Sequence, residues 1–439
     1  MREMIESGVA WIGMIPKDWE LKSIKQLMIE RTDKNKNLEV KTILSLSAKD
    51  GVTLYDGENH SGNKPREDLS DYKIVHPNDI VVNSMNILSG SVGLSKYLGV
   101  VSPVYYIYYP RANGNVEYFH YIFQSFEFQR SLRGLGNGIL IKETESGGLN
   151  TIRMRIPSKK LGMQAFPVCQ REEQDRIVDA LDSKIKQVEL LIKNQETQIE
   201  KLKQYKQSFI TETVTKGLDP NAPMKDSKIE SIGKIPAHWT LKRAKYVATS
   251  LVKGNGITKE EVLEDGDIQC VRYGEIYSKY DCAFVSTFSK TNKEILSSPQ
   301  YISYGDILFA GTGELVEEIG KNIVYLGTEP CLAGGDIVVM SHEQNPEYLN
   351  YALYGTCSQT QKSKGKAKLK VVHISATEIG NVIVALPPLD EQEEIAAYIN
   401  KKCEHINRLI AIKKKKIELL GKYKRSVIYE YVTGKKEVV

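Results

Sequence analysis

The sequence has little cysteine and histidine and no long apolar run. Six cysteines stand far apart among 439 residues without a Cys-x-x-Cys pair, which favours reduced thiols over a disulfide framework or a zinc ribbon. Seven scattered histidines show no metal-ligand spacing such as His-Glu-x-x-His. No stretch approaches the roughly 18 apolar residues of a membrane span, and the N-terminus lacks a signal-peptide pattern. We therefore expect a soluble cytoplasmic protein without a membrane segment or a metal site.

The chain also lacks the sequence signature of a P-loop motor. No Gly-x-x-x-x-Gly-Lys-Ser/Thr loop occurs, which excludes a P-loop ATPase of that type. Charged residues make up 26% of the chain and hydrophobic residues 41%, as in ordinary folded proteins. The net charge of +5 is shared evenly between the two halves, so any contact with nucleic acid must come from local basic patches.

An internal repeat organises the sequence. Residues 12–25 and 232–245 are identical at eight of 14 positions, and the match includes Trp19 and Trp239, two of only three tryptophans. A second repeated block covers residues 173–215 and 391–433, with more than a third of the positions identical. Such self-similarity predicts two copies of one structural unit.

The second block has the spacing of a coiled coil. Apolar residues recur three and four residues apart, the pattern of a heptad seam; they are Ile185, Val188, Ile192, Ile199, Leu202 and Phe209 in the first copy, and Cys403, Ile406, Ile410, Ile417, Leu420 and Val427 in the second. Gln195 and Lys413 occupy the same core slot, where a polar residue fixes register. Each helix would be about 60 Å long, and the natural partner of each is the other.

Two dissimilar segments, residues 26–166 and 246–386, lie between the repeated blocks. Both contain short β-type runs, beginning for example at Asp79, Val104, Asp306 and Asp336, separated by glycine-rich turns. We therefore predict an α+β protein with two globular domains separated by two long helices in an antiparallel coiled coil with a pseudo-twofold axis. The predicted boundaries are 1–166 and 219–386 for the domains, and 167–218 and 387–439 for the helices.

The pattern resembles the specificity subunits of type I restriction–modification systems over nearly the whole chain. The resemblance lies in the Ile-Pro-x-x-Trp-x-Leu openings at 15–21 and 235–241, in Leu-Pro-Pro-Leu-Asp-Glu-Gln at 386–392, and in Tyr-Lys-x-Ser at 205–208 and 423–426. The first copy departs from the pattern at 166–174, where two extra residues precede Glu173-Gln174.

The resemblance implies a non-catalytic, sequence-specific DNA-binding protein. In that family the two globular segments are target recognition domains, and each reads one half of a split double-stranded DNA site. The helices space the domains and dock two methyltransferase (modification) subunits, and restriction (translocase) subunits join the larger complex. S-adenosylmethionine, ATP and Mg would bind to those partners, and no cofactor is expected in this chain.

Basic residues near glycines are the candidates for DNA phosphate contacts. In the second segment they are Lys362, Lys364, Lys366, Lys368 and Lys370, and in the first segment they are Arg130, Arg133 and Lys142. Cations at these positions would neutralise phosphates and make the affinity dependent on salt. The structural alternative is a solvated surface loop.

Two motifs suggest a methyltransferase, which we consider the weaker interpretation. Phe309-Ala-Gly-Thr-Gly resembles a loop that holds S-adenosylmethionine, and Asn345-Pro-Glu-Tyr resembles a catalytic motif with Glu347 in place of a proline. The two motifs stand too close together for the intervening βαβ units of about 30 residues each. The other functional alternative is a coiled-coil assembly factor that does not contact DNA.

Overall fold

The computed structural model describes residues 2–57, 64–111, 114–136, 141–143, 149–151, 155–257, 260–263, 265–292, 294, 299–366 and 371–438. The chain forms two compact units. Unit 1 consists of residues 1–195 and 415–439, and unit 2 consists of residues 196–414. Each unit therefore combines one globular segment with part of both long helices, whereas the predicted domain boundaries separate the helices from the segments.

Unit 1 contains short strands, small helices and the first part of a long helix. Its described strands are β1 (Met4–Glu6), β2 (Met14–Pro16), β3 (Glu20–Ser23), β4 (Met28–Glu30), β5 (Leu44–Ser47), β6 (Gly51–Leu54), β7 (Lys73–Val75), β8 (Ile80–Asn83), β9 (Val92–Leu94), β10 (Gly99–Val101), β11 (Tyr105–Pro110), β12 (Ile141–Glu143), β13 (Leu149–Thr151) and β14 (Ala165–Val168). Its helices are α1 (Ile24–Leu27), α2 (Val116–Gln124), α3 (Phe126–Ser131), α4 (Ser158–Gly162) and the start of α5 (Arg171–Lys216).

The core of unit 1 lies between a four-stranded sheet and helices α2 and α3. The sheet has the order β4-β11-β8-β9 and is antiparallel throughout. Phe123, Phe128 and Phe166 are fully buried, and their rings meet edge to face with centroids 5.1 to 5.7 Å apart. Edge-to-face contacts of this kind add to the stability that burial alone supplies.

Unit 2 repeats the same plan with a more elaborate globular segment. Its described strands are β15 (Met224–Asp226), β16 (Lys234–Pro236), β17 (Thr240–Arg243), β18 (Ala248–Lys253), β19 (Ile268–Val271), β20 (Ala283–Phe284), β21 (Ser289–Thr291), β22 (Tyr301–Ile302), β23 (Ile307–Ala310), β24 (Thr312–Gly313), β25 (Asn322–Tyr325), β26 (Cys331–Ala333), β27 (Ile337–His342), β28 (Val372–His373) and β29 (Ile383–Leu386). Its helices are α6 (Ala244–Val247), α7 (Tyr273–Ser278), α8 (Pro346–Tyr354), α9 (Thr356–Ser363), α10 (Ala376–Gly380) and the start of α11 (Leu389–Val432).

Two sheets form the centre of unit 2. The five-stranded sheet has the order β18-β27-β23-β25-β20, and the four-stranded sheet has the order β21-β19-β26-β22. Strands β23 and β27 are continuous apolar runs because both of their faces are covered, which is why they lack the alternation of a half-exposed strand. The four runs predicted as strands from Asp79, Val104, Asp306 and Asp336 correspond to β8, β11, β23 and β27.

The two long helices, of 46 and 44 residues, begin at equivalent positions. Each starts two residues before its Glu-Gln pair, so the extra residues in the first copy do not displace the helix start. Acidic side chains in both first turns complement the positive end of the helix dipole. Gly217 and Gly434 follow the helix ends with φ of +73° and +67°, a conformation that favours glycine at a helix C-terminus.

The helices run antiparallel within each unit. In unit 2, the Lys206 Nζ donates to Asn407 Oδ1 at 3.1 Å, and the Lys413 Nζ donates to Gln198 Oε1, so residue numbers rise on one helix as they fall on the other. In unit 1, the Lys424 Nζ lies 2.6 Å from the Glu189 carboxylate. The predicted α+β fold with two long antiparallel helices is confirmed.

Candidate nucleic-acid interface

The first lysine of the basic run is buried, contrary to the expectation of a phosphate contact. Lys362 lies in the last turn of α9 and is 3% exposed. Its Nζ donates to the carbonyl oxygens of Gly320 (2.7 Å) and Leu353 (3.1 Å) and to Asn322 Oδ1 (3.2 Å). Burial lowers the pKa of Lys362 to about 7. The prediction that Lys362 contacts DNA is therefore wrong, because its amine is fully engaged inside unit 2.

The remaining lysines of the run differ from one another. Lys364 is exposed in the turn after α9. Lys366 donates to the His373 carbonyl and forms an ion pair with Glu378, which leaves its side chain 15% exposed. Lys368 and Lys370 lie outside the described residues. Among the described lysines of the run, Lys364 thus has the amine that is most accessible to a phosphate.

The first-segment candidates lie on two elements. Arg130 is exposed at the end of α3, with its guanidinium carbon 5.6 Å from the centre of the Phe126 ring. Arg133 follows in the turn after α3 and is half-buried. Lys142 is in β12, where its backbone pairs with Asn150 of β13, and the structure does not describe its side chain. All three residues remain candidates.

The glycines of the Phe309-Ala-Gly-Thr-Gly motif lie in closely packed surroundings. A Cβ at Gly311 would lie 2.9 Å from the Asp336 carbonyl oxygen, and a Cβ at Gly313 would lie 2.8 Å from the Tyr277 hydroxyl. Both distances are shorter than real Cβ contacts. At Gly311 the obstacle is backbone, which excludes a larger residue, whereas at Gly313 the Tyr277 side chain would have to move. The motif thus has a structural explanation that involves no cofactor.

The Asn345-Pro-Glu-Tyr motif is the start of helix α8. The Asn345 side chain accepts a hydrogen bond from the Tyr348 backbone N–H at 2.9 Å, and Pro346 occupies the first helical turn. Asparagine at the N-cap followed by proline is a common helix start, because the side chain satisfies an N–H that lacks a partner within the helix.

The paired tryptophans link each N-terminal hairpin to a long helix. The Trp19 indole N–H donates to Glu173 at 3.2 Å, and the Trp239 indole N–H donates to Glu391 at 3.0 Å. Arg2 also forms an ion pair with Glu173. The sequence repeat identified the tryptophans but not their partners, although the two Glu-Gln pairs stand at matching positions.

A second repeated contact joins each globular segment to the long helix of its own copy, α5 in the first and α11 in the second. The Gln174 side-chain oxygen accepts from the Asn115 backbone N–H at 2.9 Å, and that of Gln392 accepts from the Asn345 backbone N–H at 3.0 Å. Both asparagines are N-caps, of α2 and α8 respectively. These buried glutamines therefore fix a helix of the segment to the start of a long helix in each unit.

The predicted seam residues lie on the inner faces of the long helices. Ile185, Val188, Ile199, Cys403, Ile406 and Val427 are buried, and Ile192, Leu202, Phe209, Ile410, Ile417 and Leu420 are half-buried. The polar slot residue Gln195 is buried, and Lys413 is half-buried.

Two further seam slots contain lysines that the apolar pattern did not identify. Lys206 is 5% exposed, and its Nζ contacts the Asp281 carboxylate and the Asn407 side chain. Lys424, its counterpart in the second copy, forms an ion pair with Glu189. The heptad spacing could have located both lysines, because each stands four residues after a seam leucine.

The described residues give no sign of a metal centre or a membrane span. No group of three His, Cys, Asp or Glu side chains is placed to hold a metal ion in the described ranges. Among the described helices, none is long and apolar enough to cross a bilayer. The six cysteines are buried free thiols.

The sequence is similar to a known protein family and to two curated proteins. A family model described as the type I restriction modification DNA specificity domain matches residues 236–420. The type I restriction enzyme MjaVIII specificity subunit of Methanocaldococcus jannaschii is 26% identical over 276 residues, covering 62% of this chain and 61% of that protein. The putative type I restriction enzyme MjaX specificity subunit of the same organism is 28% identical over 212 residues, covering 47% and 48%. The chain thus spans about half to three fifths of the length of these relatives.

A solved structure has the same fold. A chain from a structure titled "Structural basis underlying complex assembly and conformational transition of the type I R-M system" matches with a TM-score of 0.67 at 13% identity, covering 96% of this chain and 99% of that one. The similarity to that structure shows the fold, in which two globular segments are each attached to a pair of long antiparallel helices. In sequence, residues 236–420 are similar to the DNA specificity domain of type I restriction–modification enzymes.

Proposed function

We propose that this chain is the non-catalytic subunit that reads a bipartite, asymmetric DNA target for a type I restriction–modification complex. In this proposal each globular segment reads one half-site, and the long helices hold two methyltransferase subunits, with restriction subunits joining the larger complex. S-adenosylmethionine, ATP and Mg belong to those partners.

The observation that carries the proposal is that the same frame surrounds two dissimilar segments. The frame consists of the hairpins β1–β2 and β15–β16, the strand pairs β3–β14 and β17–β29, and the long helices α5 and α11. The Trp–Glu and Gln–Asn hydrogen bonds recur in both units with nearly equal lengths. The segments inside the frame differ: among the described strands, the largest sheet of unit 1 has four strands, whereas unit 2 has a five-stranded and a four-stranded sheet. A constant frame with variable inserts suits a protein whose two readers recognise different sequences.

The test is a comparison of DNA methylation in cells with and without this gene. We expect one methylated motif to disappear, with two different specific half-sites separated by unspecified base pairs. The purified chain alone should neither methylate nor cleave DNA, and activity should appear when the partner subunits are added. The assembly-factor alternative would be supported by an unchanged methylome together with the absence of salt-dependent DNA binding by the purified chain. Methylation by the purified chain alone would support the methyltransferase alternative.

A further inference from the structure

An exposed apolar loop, residues 285–288, joins the edge strands β20 and β21 of the two sheets in unit 2. Val285 and Phe288 are 64% and 66% exposed. Single exposed apolar residues are common on protein surfaces and need no functional explanation. The way in which this loop is held distinguishes it from such residues.

Hydrogen bonds and close packing fix the loop backbone. The Phe288 N–H donates to the Tyr280 hydroxyl at 3.2 Å, and the Thr287 N–H donates to the Gln269 side chain at 3.0 Å. On the other side, the Val285 carbonyl oxygen approaches Gly327 so closely that a Cβ there would lie 2.2 Å away. The loop is therefore preorganised, although its two apolar side chains face solvent.

A series of aromatic rings supports Phe288 from the core. Ring centroids are 5.0 Å apart between Tyr325 and Phe284, 4.8 Å between Phe284 and Tyr280, and 5.4 Å between Tyr280 and Phe288. Tyr325 is 1% exposed, and exposure rises sharply only at the last ring. One side of the Phe288 ring is thus packed against Tyr280, while the rest of the ring is accessible to a ligand.

Two lysines stand near this apolar tip. The Lys279 Nζ lies 5.5 Å from the centre of the Phe288 ring, and Lys290 follows in β21; both lysines are exposed. Lysine is depleted from the centres of protein–protein interfaces, because its ammonium is costly to dehydrate. A small rigid apolar tip between lysines is better suited to a polyanion that presents methyl groups, as the major groove of DNA does.

We propose that the loop 285–288 is a base-reading element of the second globular segment. Phe288 would contact the 5-methyl group of a thymine in the half-site of that segment, and Lys279 and Lys290 would contact the flanking phosphates. This inference rests on the proposed DNA-reading function and adds to it a reading residue and the group that it recognises.

The experiment uses the full chain assembled with its methyltransferase subunits and a duplex carrying the motif identified by methylation. Each thymine is replaced in turn by deoxyuridine, which lacks only the methyl group. At one position in one half-site, we expect the wild-type complex to lose affinity about fourfold, the value of one buried methyl group. Phe288→Ala should bind the intact duplex at least as weakly and should no longer distinguish thymine from deoxyuridine at that position.

Two further variants control for general effects. Tyr246→Ala removes a comparably exposed aromatic ring beside Lys245 in the same unit and should leave affinity and discrimination unchanged. Gly327→Ala displaces the loop while keeping Phe288, and it should reproduce the loss of discrimination. Thermal unfolding of each variant separates these effects from misfolding, and Phe288→Ala should melt at the wild-type temperature.

Three outcomes would overturn the inference. The first is a Phe288→Ala complex that still discriminates against deoxyuridine at the critical position. The second is a wild-type complex that is indifferent to every thymine methyl group. The third is normal DNA affinity with failed assembly, which would make the loop a protein interface. Absence of any sequence preference in the wild-type complex is a different result, because it contradicts the proposed function itself.

Discussion

Lysines that look alike in the sequence have different environments in the fold. Lys362 and Lys364 are two residues apart, yet the first is buried and the second is exposed. The burial of Lys362 depends on Gly320, which is 42 positions away in the sequence and where a Cβ would lie 3.1 Å from the lysine side chain. Local composition correctly located a basic turn, but it could not show which lysine amines form hydrogen bonds inside the protein.

Replacing Lys364, Lys366 and Lys368 together by alanine should weaken DNA binding by the assembled complex. Each phosphate contact that is lost should flatten the dependence of log affinity on log salt by about 0.9, with little change in the preferred sequence. The measurement is a titration of target and unrelated duplexes at several salt concentrations. Wild-type affinity and slope would show that the turn is merely solvated.

Lys362→Met is the matched control and should behave differently. It removes the Lys362 donor from three buried acceptors, so we expect a loss of about 2 kcal/mol in unfolding free energy with an unchanged salt slope. Because the folded-state pKa of Lys362 is lowered to about 7, the unfolded chain binds more protons between pH 7 and the ordinary lysine value. Wild-type stability should therefore rise relative to this variant as pH increases from 7 to 10.

At the scale of elements, periodicity predicted the helices and missed their polar contacts. The three-four spacing located both helices and their apolar seam because burial of one stripe is a local, repeating requirement. Lys206 and Lys424 occupy seam slots, but their partners Asp281 and Glu189 cannot be paired with them from spacing alone. The aromatic series that ends at Phe288 was also missed, because it joins residues from separate strands.

Lys206→Ala and Lys424→Ala form a matched pair at equivalent helix positions. Lys206 is buried, while its partner Asp281 is 53% exposed at the side chain. We therefore expect Lys206→Ala to lower the free energy of unfolding by about 2 kcal/mol, between the values for exposed and buried ion pairs. Both partners of the Lys424–Glu189 pair are more open to solvent, and its loss should cost less than about 1 kcal/mol. Denaturant unfolding of both variants measures the difference. Equal losses would contradict the assignment of Lys206 as a buried anchor.

The Lys206 effect should also depend on pH. Burial raises the pKa of the Asp281 carboxyl, but the Lys206 ammonium and the Asn407 amide outweigh it, and the pKa lies below its ordinary value. A lowered folded-state pKa gives stability that is present at neutral pH and lost as pH falls through that value. The gap between wild type and Lys206→Ala should therefore narrow in acid.

At the scale of the whole molecule, the frame repeats and the inserts do not. Sequence similarity revealed the frame, since its hairpins and helices meet the same packing demands twice. The sheet topology of each insert could not be read from the sequence, because its short strands pair with partners far apart in the chain, as β4 does with β11. The part that was hardest to predict is therefore the part to which we assign DNA specificity.

Exchange of residues 26–166 for the first segment of a type I specificity subunit should change one half-site only, if the proposed function holds. The segment leaves the frame through adjacent antiparallel strands, since β3 pairs with β14 from Ser23↔Ala165 to Glu20↔Val168. Its two ends therefore lie side by side, and an insert can be replaced there without moving the frame. The second segment is closed in the same way by β17 and β29.

The donor segment should retain an asparagine N-cap equivalent to Asn115, so that the buried Gln174 keeps its partner. Methylome sequencing of cells that carry the hybrid then reads the result directly. We expect one half-site to be new, while the other half-site and the number of intervening base pairs stay as in the parent. The reciprocal exchange of residues 246–386 should change the other half-site instead. If either exchange alters both half-sites, or if the parental target is one continuous sequence, each segment is not an independent reader and specificity must arise from the two together.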